Sequence, residues 1–410
     1  MKSTLLLILL VSLLVSCNSE FGVQIVNPSS VDLNAKAFEF KRAGLEQLLG
    51  NLQEYSFAIL TDKAGNEFFA QTDDLDGDGH WDVLFAQIDI KANEEKFLKV
   101  DWDPTMDISS RTNIRFADYN DSEKEFDTAE RLTSNSSEII QEIFQMEGPA
   151  WENEIVGFRN YFDARNGMDI FGKVTDALVL DSCGLKGGPT YHEMRSWGMD
   201  ILKVANSLGA GALALETSSG LYRVGPGCRG TYRLVKEGPL RSILDLEFEG
   251  IPIDNQTVHV KHRISIEAGK PYYKSQVWVE DAMDMKLVTG IVNLHSDSVY
   301  SKTLDSVSYF YTHDNQAYNG EKLGMAILVP CSTLVILTAP EEGEGITQTF
   351  YTSIALNEQP IEFCFVAGWE KTDPAFATRE SFETMVEREA IQWSVVPEIT
   401  YKVEGKSIGQ

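Results

Sequence analysis

The sequence predicts a mainly β protein: a large antiparallel β-sandwich, for which a supersandwich-like form is one option, preceded by a small β-domain. Short runs of β-branched and aromatic residues recur between turn residues, as is typical of antiparallel sheets. One run alternates, with Leu244, Leu246 and Phe248 separated by Asp245 and Glu247, which indicates a sheet with one face in water. The 410 residues exceed what one hydrophobic core usually organises, so more than one β unit is expected.

The N-terminus has the composition of a bacterial lipoprotein signal peptide. Lys2 is followed by an almost unbroken apolar run at residues 5–14, and Ser16 directly precedes Cys17. The run is shorter than the roughly 20 residues that span a bilayer, and a small residue before the cysteine fits a cleavage site. We expect residues 1–16 to be removed and Cys17 to carry lipid, which alone anchors the chain in the cell envelope, at the outer membrane. The alternative is an ordinary secretory peptide.

The charge balance excludes one class of partner. The chain carries 62 acidic against 35 basic residues, a formal net charge of -27, so it lacks the basic surface that attracts nucleic acid. Local clusters of arginine and lysine are therefore informative. The cysteines after Cys17 are widely spaced without a CxxC pair, which argues against zinc and leaves one or two disulfides allowed. They are Cys183, Cys228, Cys331 and Cys364.

The expected domains are a small β-domain at 17–115, a polar connection at 116–147 and a large β-sandwich at 148–410 that carries the active site. The best helix candidates are residues 197–208 and 379–393. The expected strands are 57–60, 83–86, 97–100, 257–267, 272–280, 288–294, 307–312, 325–329, 333–337 and 361–366.

One acidic loop has the pattern of a calcium site. Its carboxylates stand at alternate positions with glycines between them, and calcium takes several oxygen ligands from such loops. An EF-hand is excluded because Phe85 occupies the position of the bidentate glutamate. The alternatives are a structural calcium ion and a solvated Asp-Gly turn. The candidate ligands are Asp74, Asp76, Asp78 and Asp82.

A second candidate segment covers residues 157–166. Read as a strand, it places Arg159, Tyr161, Asp163 and Arg165 on one face and phenylalanines on the other. Two arginines beside an aromatic ring and a carboxylate can bind a ligand carboxylate or sulfate while the ring packs against a sugar. The alternative is a surface ladder of salt bridges.

The segment 187–211 mixes glycines, aromatic residues and ionisable groups. Tyr191 and His192 are adjacent and can both move protons, and Lys203 is a further substrate-binding candidate. On the later strands, His295 beside Asn293 is another binding candidate. His262 lies on the same strand face as apolar residues, which is typical of a hydrogen-bonded histidine in the core. His313 follows a run of aromatic residues.

These residues together carry a resemblance to a known family. The motifs are Gly148-Pro-Ala-Trp-Glu-Asn-Glu154, the 159–166 segment with Asp169 and Gly172-Lys173, and Tyr191-His192 followed by residues 197–204. They resemble a family of envelope proteins of glycan-degrading bacteria, described as a domain of unknown function and often encoded among polysaccharide-utilisation genes. The family is similar to an oligosaccharide dehydratase of ulvan breakdown. The resemblance implies a sugar substrate and a pathway shared with other glycan-degrading enzymes.

The expected function is that of a carbon–oxygen lyase: a dehydratase that removes water across C4–C5 of a terminal uronic acid and leaves a 4,5-unsaturated end. An arginine must neutralise the carboxylate, a base must take the C5 proton and an acid must protonate the C4 hydroxyl. Arg159 and Arg165 suit the first task, and His192 and Tyr191 suit the other two in either order. No organic cofactor is required.

Two alternatives remain open from the sequence. A uronoside hydrolase would use a pair of carboxylates, for which Asp163 and Asp200 are the candidates. A non-catalytic glycan-binding lipoprotein would present the same arginine and aromatic face to a polysaccharide.

Overall fold

A computed structural model describes residues 21–102, 108–332, 336–338, 345–357, 360–403 and 406–407. Cys17, the expected signal peptide and most of the strand expected at 333–337 lie outside these residues. Within the described residues, no helix is long and apolar enough to cross a membrane. Cys183, Cys228, Cys331 and Cys364 are free thiols.

The described chain is mainly β. The strands of the first half are β1 (Phe21–Val26), β2 (Leu33–Lys41), β3 (Phe57–Asp62), β4 (Glu67–Asp73), β5 (Val83–Ile90), β6 (Glu95–Trp102), β7 (Thr112–Arg115), β8 (Thr128–Glu130), β9 (Ala150–Asn153), β10 (Val156–Asn160), β11 (Met168–Lys173), β12 (Gly198–Asp200) and β13 (Ala210–Thr217). The strands of the second half are β14 (Gly220–Arg223), β15 (Arg229–Lys236), β16 (Arg241–Ile253), β17 (Gln256–Glu267), β18 (Tyr272–Glu280), β19 (Lys286–Val292), β20 (Tyr300–Thr303), β21 (Val307–Asp314), β22 (Leu323–Pro330), β23 (Ile336–Thr338), β24 (Thr349–Ala355), β25 (Ile361–Trp369), β26 (Glu398–Val403) and β27 (Lys406–Ser407).

Short helical elements connect these strands. They are α1 (Arg42–Leu49), α2 (Ser137–Ile143) and α3 (Arg379–Ser394), with single 3₁₀ turns at Gln145–Glu147, Leu180–Ser182 and Pro374–Phe376. Helix α3 confirms the helix expected at 379–393. It begins where the Thr378 hydroxyl accepts a hydrogen bond from the backbone N–H of Ser381, and this capping satisfies one of the free donors at a helix start.

The strands form four antiparallel sheets. An eight-stranded sheet in the order β2-β5-β4-β3-β6-β1-β26-β27 draws its strands from both ends of the chain. The others are a nine-stranded sheet in the order β20-β21-β22-β25-β18-β17-β16-β15-β8 and two five-stranded sheets, β12-β11-β10-β9-β7 and β14-β13-β19-β24-β23. The expected fold class, mainly β with sandwiched antiparallel sheets, is confirmed.

Aromatic contacts join β10 to the nine-stranded sheet. The ring of Phe158 on β10 lies 4.9 Å from Tyr273 on β18 and 6.2 Å from Phe365 on β25. Trp151 on β9 lies 5.5 Å from the same tyrosine. These rings are buried in one large core cluster, so the side of β10 opposite Phe158 is available for the polar groups described below.

The segment 116–147, expected to be a polar connection, contributes β8, α2 and buried aromatic residues. Phe116 and Phe144 are buried and 5.0 Å apart, and Phe116 also contacts Phe162 at 5.1 Å and Tyr232 at 4.8 Å. A few aromatic residues therefore pack this segment against the sandwich. The many polar residues around them made the segment look like a solvent-exposed connection.

The helix expected at 197–208 is wrong. The chain instead forms the short strand β12 and then a loop. Gly198 has φ +130°, and a Cβ there would lie 1.9 Å from the carbonyl oxygen of Gly172. This close approach requires glycine and lets β12 pair with β11.

Candidate functional site

The centre of the candidate site is Arg159, which lies on β10 and is fully buried. Its Nη2 donates to Oδ2 of Asp169 at 2.5 Å and to Oδ2 of Asp200 at 2.8 Å. Asp169 is the register partner of Arg159 across the β10–β11 pair, and Asp200 ends the next strand, β12. Three neighbouring strands thus bring one guanidinium and two carboxylates together.

Two tyrosines complete the surroundings of this guanidinium. Its Nη1 donates to the hydroxyl of Tyr191 at 2.9 Å, and its Nη2 donates to the hydroxyl of Tyr161 at 2.9 Å. Tyr161 in turn donates to Asp169 at 2.8 Å, and Tyr191 donates to Glu147 at 3.4 Å. Burial raises the pKa of both phenols. Both therefore hold their protons and can act as donors.

His192 lies at the open side of the cluster. Its side chain is 49% exposed, its Nδ1 lies 3.3 Å from Oδ2 of Asp200, and its ring is 4.3 Å from that of Tyr191. The hydrogen bond that His192 donates to Asp200 raises the pKa of His192, against the opposing effect of desolvation. A histidine oriented by a carboxylate, with its other nitrogen available, is suited to general acid–base chemistry.

A second pair of charges borders the first. Nε of Arg165 donates to both carboxylate oxygens of Asp163, at 2.8 and 3.0 Å, and its Nη2 donates to Glu147 at 3.3 Å. The guanidinium also stacks 4.4 Å from the ring of Tyr161. Asp163 is buried, whereas the Arg165 side chain is 31% exposed.

The interpretation of residues 157–166 as one continuous strand is wrong. Strand β10 ends at Asn160, and the Asp163 carboxylate accepts a hydrogen bond from the backbone N–H of Arg165 at 2.8 Å, which closes a turn. The four polar residues therefore do not share one strand face. Arg159 points into the buried cluster, and Arg165 lies at its edge.

Glu147 reaches the site through an unusual backbone conformation. Met146 and Glu147 have φ values of +55° and +67°, a region that non-glycine residues seldom adopt. In this conformation the Met146 carbonyl accepts a hydrogen bond from Arg159 at 3.1 Å, and the Glu147 carboxylate lies between Tyr191 and Arg165. Backbone strain at a charged cluster is a common feature of functional sites.

The protonation of Asp169 depends on its burial and on its charged neighbours. Burial and the neighbouring Asp200 raise the pKa of Asp169, and Arg159 opposes this rise only in part. Two carboxylates beside one guanidinium leave one negative charge uncompensated, so a proton on Asp169 lowers the electrostatic cost.

Two cavities flank this cluster. One, of about 240 Å³, is lined by Tyr191, His192 and Glu147. The other, of about 620 Å³, is lined by Tyr161 and Arg165 among others. Hydrogen bonds through Glu147 join the linings of the two cavities, because Glu147 accepts from both Tyr191 and Arg165. A ligand in either cavity would therefore contact residues of the same hydrogen-bonded cluster.

The other candidates lie elsewhere. Lys203 and His295 are exposed and line neither cavity. His262 is a buried core residue whose Nε2 is 2.8 Å from the Ser275 hydroxyl, as the sequence indicated. His313 is buried, with Nε2 2.8 Å from the carbonyl of Phe376.

Sequence reasoning missed the roles of two cluster members. Asp169 was noted only as part of a motif. An antiparallel hairpin centred on residue 164 would have paired it with Arg159, as β10 and β11 do. Glu147 was assigned to the connection, and its place depends on the positive-φ turn, for which the sequence holds no signal.

The acidic loop has part of a calcium site. Asp74, Asp76 and Asp78 each place one carboxylate oxygen within 4.8 Å of the others. Asp82 instead accepts a hydrogen bond from the backbone N–H of Leu75 at 2.7 Å, and Asp74 accepts from the N–H groups of two loop glycines. Three carboxylate oxygens fit calcium, which takes six to eight ligands, only if backbone carbonyls and water supply the rest. Calcium stays a prediction.

Comparison with known proteins places the chain in a family. The family model described as Domain of unknown function (DUF4861) matches residues 25–396, and no curated protein matches the sequence. Among solved structures, an alpha-mannosidase from Enterococcus faecalis V583 aligns with a TM-score of 0.38 and 9% identity, covering 95% of this chain and 46% of that one. A protein in the glycosyl hydrolase family 38 from Enterococcus faecalis aligns with a TM-score of 0.40 and 8% identity, covering 95% and 48%.

This chain therefore spans about half the length of those two structures. At such TM-scores the likeness carries no argument about fold or activity. The family match is of a different kind, because it covers most of the chain, and it agrees with the expectation of a domain of unknown function. The protein belongs to the DUF4861 family.

Proposed function

We propose that this protein is a carbohydrate-active lyase that removes water from a terminal uronic acid of an oligosaccharide and leaves a 4,5-unsaturated uronosyl end. The observation that carries the proposal is the pairing of His192, held by Asp200 at 3.3 Å, with the hydroxyl-bearing Tyr191 in one cavity. An elimination of water needs a base and an acid within reach of the substrate, and a pair on the same side suits a syn elimination.

The chemistry assigns a role to each group. Nε2 of His192 takes the C5 proton, because Asp200 occupies the side of Nδ1. The electron pair of the C5–H bond forms the C4=C5 double bond, and the C4–O bond breaks. The leaving hydroxyl takes the phenolic proton of Tyr191 and departs as water. The raised pKa of Tyr191 favours this order, since a phenol that keeps its proton serves as the acid.

The arginines have different tasks in this scheme. Arg159 is buried and already donates to two carboxylates and two phenols, so it positions these groups and does not contact the substrate. Arg165 is partly exposed at the cluster edge. Its guanidinium is the better placed of the two to neutralise a uronate carboxylate, which makes the C5 proton more acidic.

A uronoside hydrolase is the second candidate. The adjacent carboxyl groups of Asp169 and Asp200, with the raised pKa of the first, are the feature that favours it. Glycosidases use one carboxyl group as an acid and a second as a base or nucleophile, and the two groups flank the glycosidic bond. Against it, both carboxyls are buried under Arg159, and Asp163 is buried and bound to Arg165.

One assay separates the candidates. The protein is incubated with saturated uronic-acid oligosaccharides, and products are followed by mass spectrometry and ultraviolet absorbance. Loss of one water with new absorbance supports the lyase, release of a monosaccharide supports the hydrolase, and retention of intact ligand by the protein without reaction supports a glycan-binding lipoprotein. Parallel reactions with His192→Ala test whether any activity belongs to this site.

The proposed setting follows the N-terminal sequence. The lyase would be anchored in the cell envelope through lipid on Cys17 and would act beside other glycan-degrading enzymes on soluble oligosaccharides. The proposed chemistry uses side chains alone, without an organic cofactor, and calcium would serve the distant acidic loop.

A further inference from the structure

The charged residues that line the cleft of about 620 Å³ are arginines, although the protein as a whole is acidic. Its lining includes the side chains of Arg165 and Arg223 and contains no aspartate or glutamate among the described residues. The chain carries 62 acidic residues and a net charge of -27. A cleft whose charged lining residues are both arginines is, in such a protein, a local site for anions.

Arg223 differs from the other arginines near the site. Its Nη1 donates to the carbonyl of Arg165 at 3.1 Å, and its Nη2 donates to the carbonyls of Asn206 at 2.7 Å and Ser207 at 2.9 Å. No carboxylate of the described residues lies within ion-pair distance of it. Arg159 and Arg165, in contrast, each contact at least two carboxylates.

The three carbonyls fix the direction of this guanidinium without neutralising it. Burial lowers the pKa of Arg223 to about 10, with Asp163 opposing the change. The group stays protonated at neutral pH, and Asp163 acts on it only from beyond ion-pair distance. An anionic ligand would supply the missing charge and bind through charge-assisted hydrogen bonds.

The rest of the lining suits a sugar ring. Tyr161 and Tyr222 contribute aromatic surface, and Ile251, Pro252 and Ile346 contribute apolar surface. Polar groups are also present, at Asn135, Asn206 and Ser207. Carbohydrates combine apolar ring faces with hydroxyl groups, so a cleft of mixed aromatic and polar lining matches them.

The cleft adjoins the proposed catalytic groups. Tyr161 lines it while its hydroxyl donates to Asp169, and Arg165 lines it while its Nη2 donates to Glu147, the partner of Tyr191. A saccharide that spans the two cavities would have its reacting end at His192 and Tyr191 and its next sugar in the cleft.

We propose that this cleft is a saccharide subsite in which Arg223 binds an anionic substituent, a sulfate ester or a carboxylate, of the sugar next to the reacting uronic acid. The inference rests on the proposed function and deepens it, because it names the substrate class as oligosaccharides with a second anionic group. Arg223 is a specificity residue in this proposal and takes no part in proton transfer.

The test measures binding by calorimetry with the His192→Ala protein, so that no probe is converted. The probes are uronic-acid oligosaccharides that carry a sulfate ester, a carboxylate or only hydroxyls on the sugar next to the terminal uronic acid. The variants are Arg223→Gln, Arg223→Lys and the control Arg229→Gln, in which the exposed arginine of β15 that pairs with Glu130 is changed. Melting temperatures check that each variant is folded.

We expect Arg223→Gln to weaken binding of the doubly anionic probes about 10- to 100-fold, with little change for the probe that carries only hydroxyls. Arg223→Lys should lose less, since the charge remains, and Arg229→Gln should bind as the parent does. The probe that loses most identifies the group as sulfate or carboxylate. Equal losses for all probes, no loss in a folded Arg223→Gln protein, or no binding of any anionic probe by the parent would overturn the proposal.

Failure of the proposed dehydratase activity and failure of the anionic subsite give different results. If the unsubstituted protein releases no water from the anionic probes while Arg223→Gln still loses their binding selectively, the dehydratase assignment falls and the anionic subsite stands. If water is released equally well by the parent and by Arg223→Gln from every probe, the subsite falls and the dehydratase stands.

Discussion

The carboxylate of Asp200 lies 3.3 Å from Nδ1 of His192 and 2.8 Å from Nη2 of Arg159, so one carboxylate orients the imidazole while a buried cation orients the carboxylate. The hydrogen bond that His192 donates to this carboxylate raises the pKa of His192 above the ordinary histidine value of 6.5. If His192 is the base, activity requires its neutral form and falls as pH drops through this raised pKa.

Asp200→Asn should therefore move the acid limb of the kcat/KM profile to lower pH. The amide cannot stabilise the imidazolium as a carboxylate does, so the pKa of His192 returns toward its ordinary value. The profile is measured for water elimination from a uronic-acid oligosaccharide. An acid limb at the same pH in the parent and in Asp200→Asn would contradict the base assignment. Glu193→Gln, an exposed neighbour, serves as the control.

Tyr191→Phe should reduce turnover by about 10²–10⁴-fold, the usual contribution of a general acid. The substitution also removes an acceptor for Arg159, so we expect a loss of about 1 kcal/mol in the free energy of unfolding. Turnover is measured together with urea unfolding. Tyr119→Phe removes a phenol that lines the same cavity without contacting Arg159 and should keep full turnover. Full activity in folded Tyr191→Phe would remove this residue from the chemistry.

Arg159→Met should destabilise the fold by about 3–5 kcal/mol, because it leaves Asp169 and Asp200 buried without their cation. The expected defect is therefore in stability, beyond any weaker binding of a uronate. The double variant Arg159→Met/Asp169→Asn should recover part of the loss, since one buried charge is gone. Urea unfolding measures both. Arg229→Met, which breaks the exposed pair with Glu130, should cost less than about 1 kcal/mol.

If the Asp74–Asp78 loop binds calcium, a chelator should lower the melting temperature and added calcium should restore it, because a ligand of the folded state stabilises by mass action. Asp74→Asn/Asp76→Asn removes two of the three converging carboxylates and should make melting insensitive to the chelator. Identical melting curves of the parent with and without chelator would leave the loop as an Asp-Gly turn held by its own hydrogen bonds.

Cys17→Ala should release the protein from membranes, because lipid attachment requires the cysteine sulfur. The measurement is fractionation of cells that express the parent or the variant, with a salt wash to remove loosely bound protein. Cys331→Ala, which changes a thiol far along the chain, is the matched control and should remain in the membrane fraction as the parent does. A Cys17→Ala protein that remains wholly in the membrane fraction would contradict the lipid anchor.

The sequence alone determined the features that depend on neighbouring residues. Alternation predicted β16 and β18, and the strand expected at 272–280 matches β18 residue for residue. Asp245, expected on the wet face of β16, is an instructive exception: it is buried beneath Arg233, Lys261 and Arg263. The alternation placed Asp245 on the correct face of the strand, and cationic side chains from the neighbouring strands β15 and β17 cover it there.

The tertiary structure decided which groups meet. The adjacency of Tyr191 and His192 and the candidacy of Arg159 were visible in the chain, but the partners that define their roles come from β11, β12 and the turn at Glu147. Strand β10 carries the arginine inward, so its charge holds the site together, and Arg223 on β14 faces the cleft without a carboxylate. Periodicity records whether a side chain points in or out. Only the pairing of distant strands sets what it meets there, because those contacts depend on register and sheet order across the whole chain.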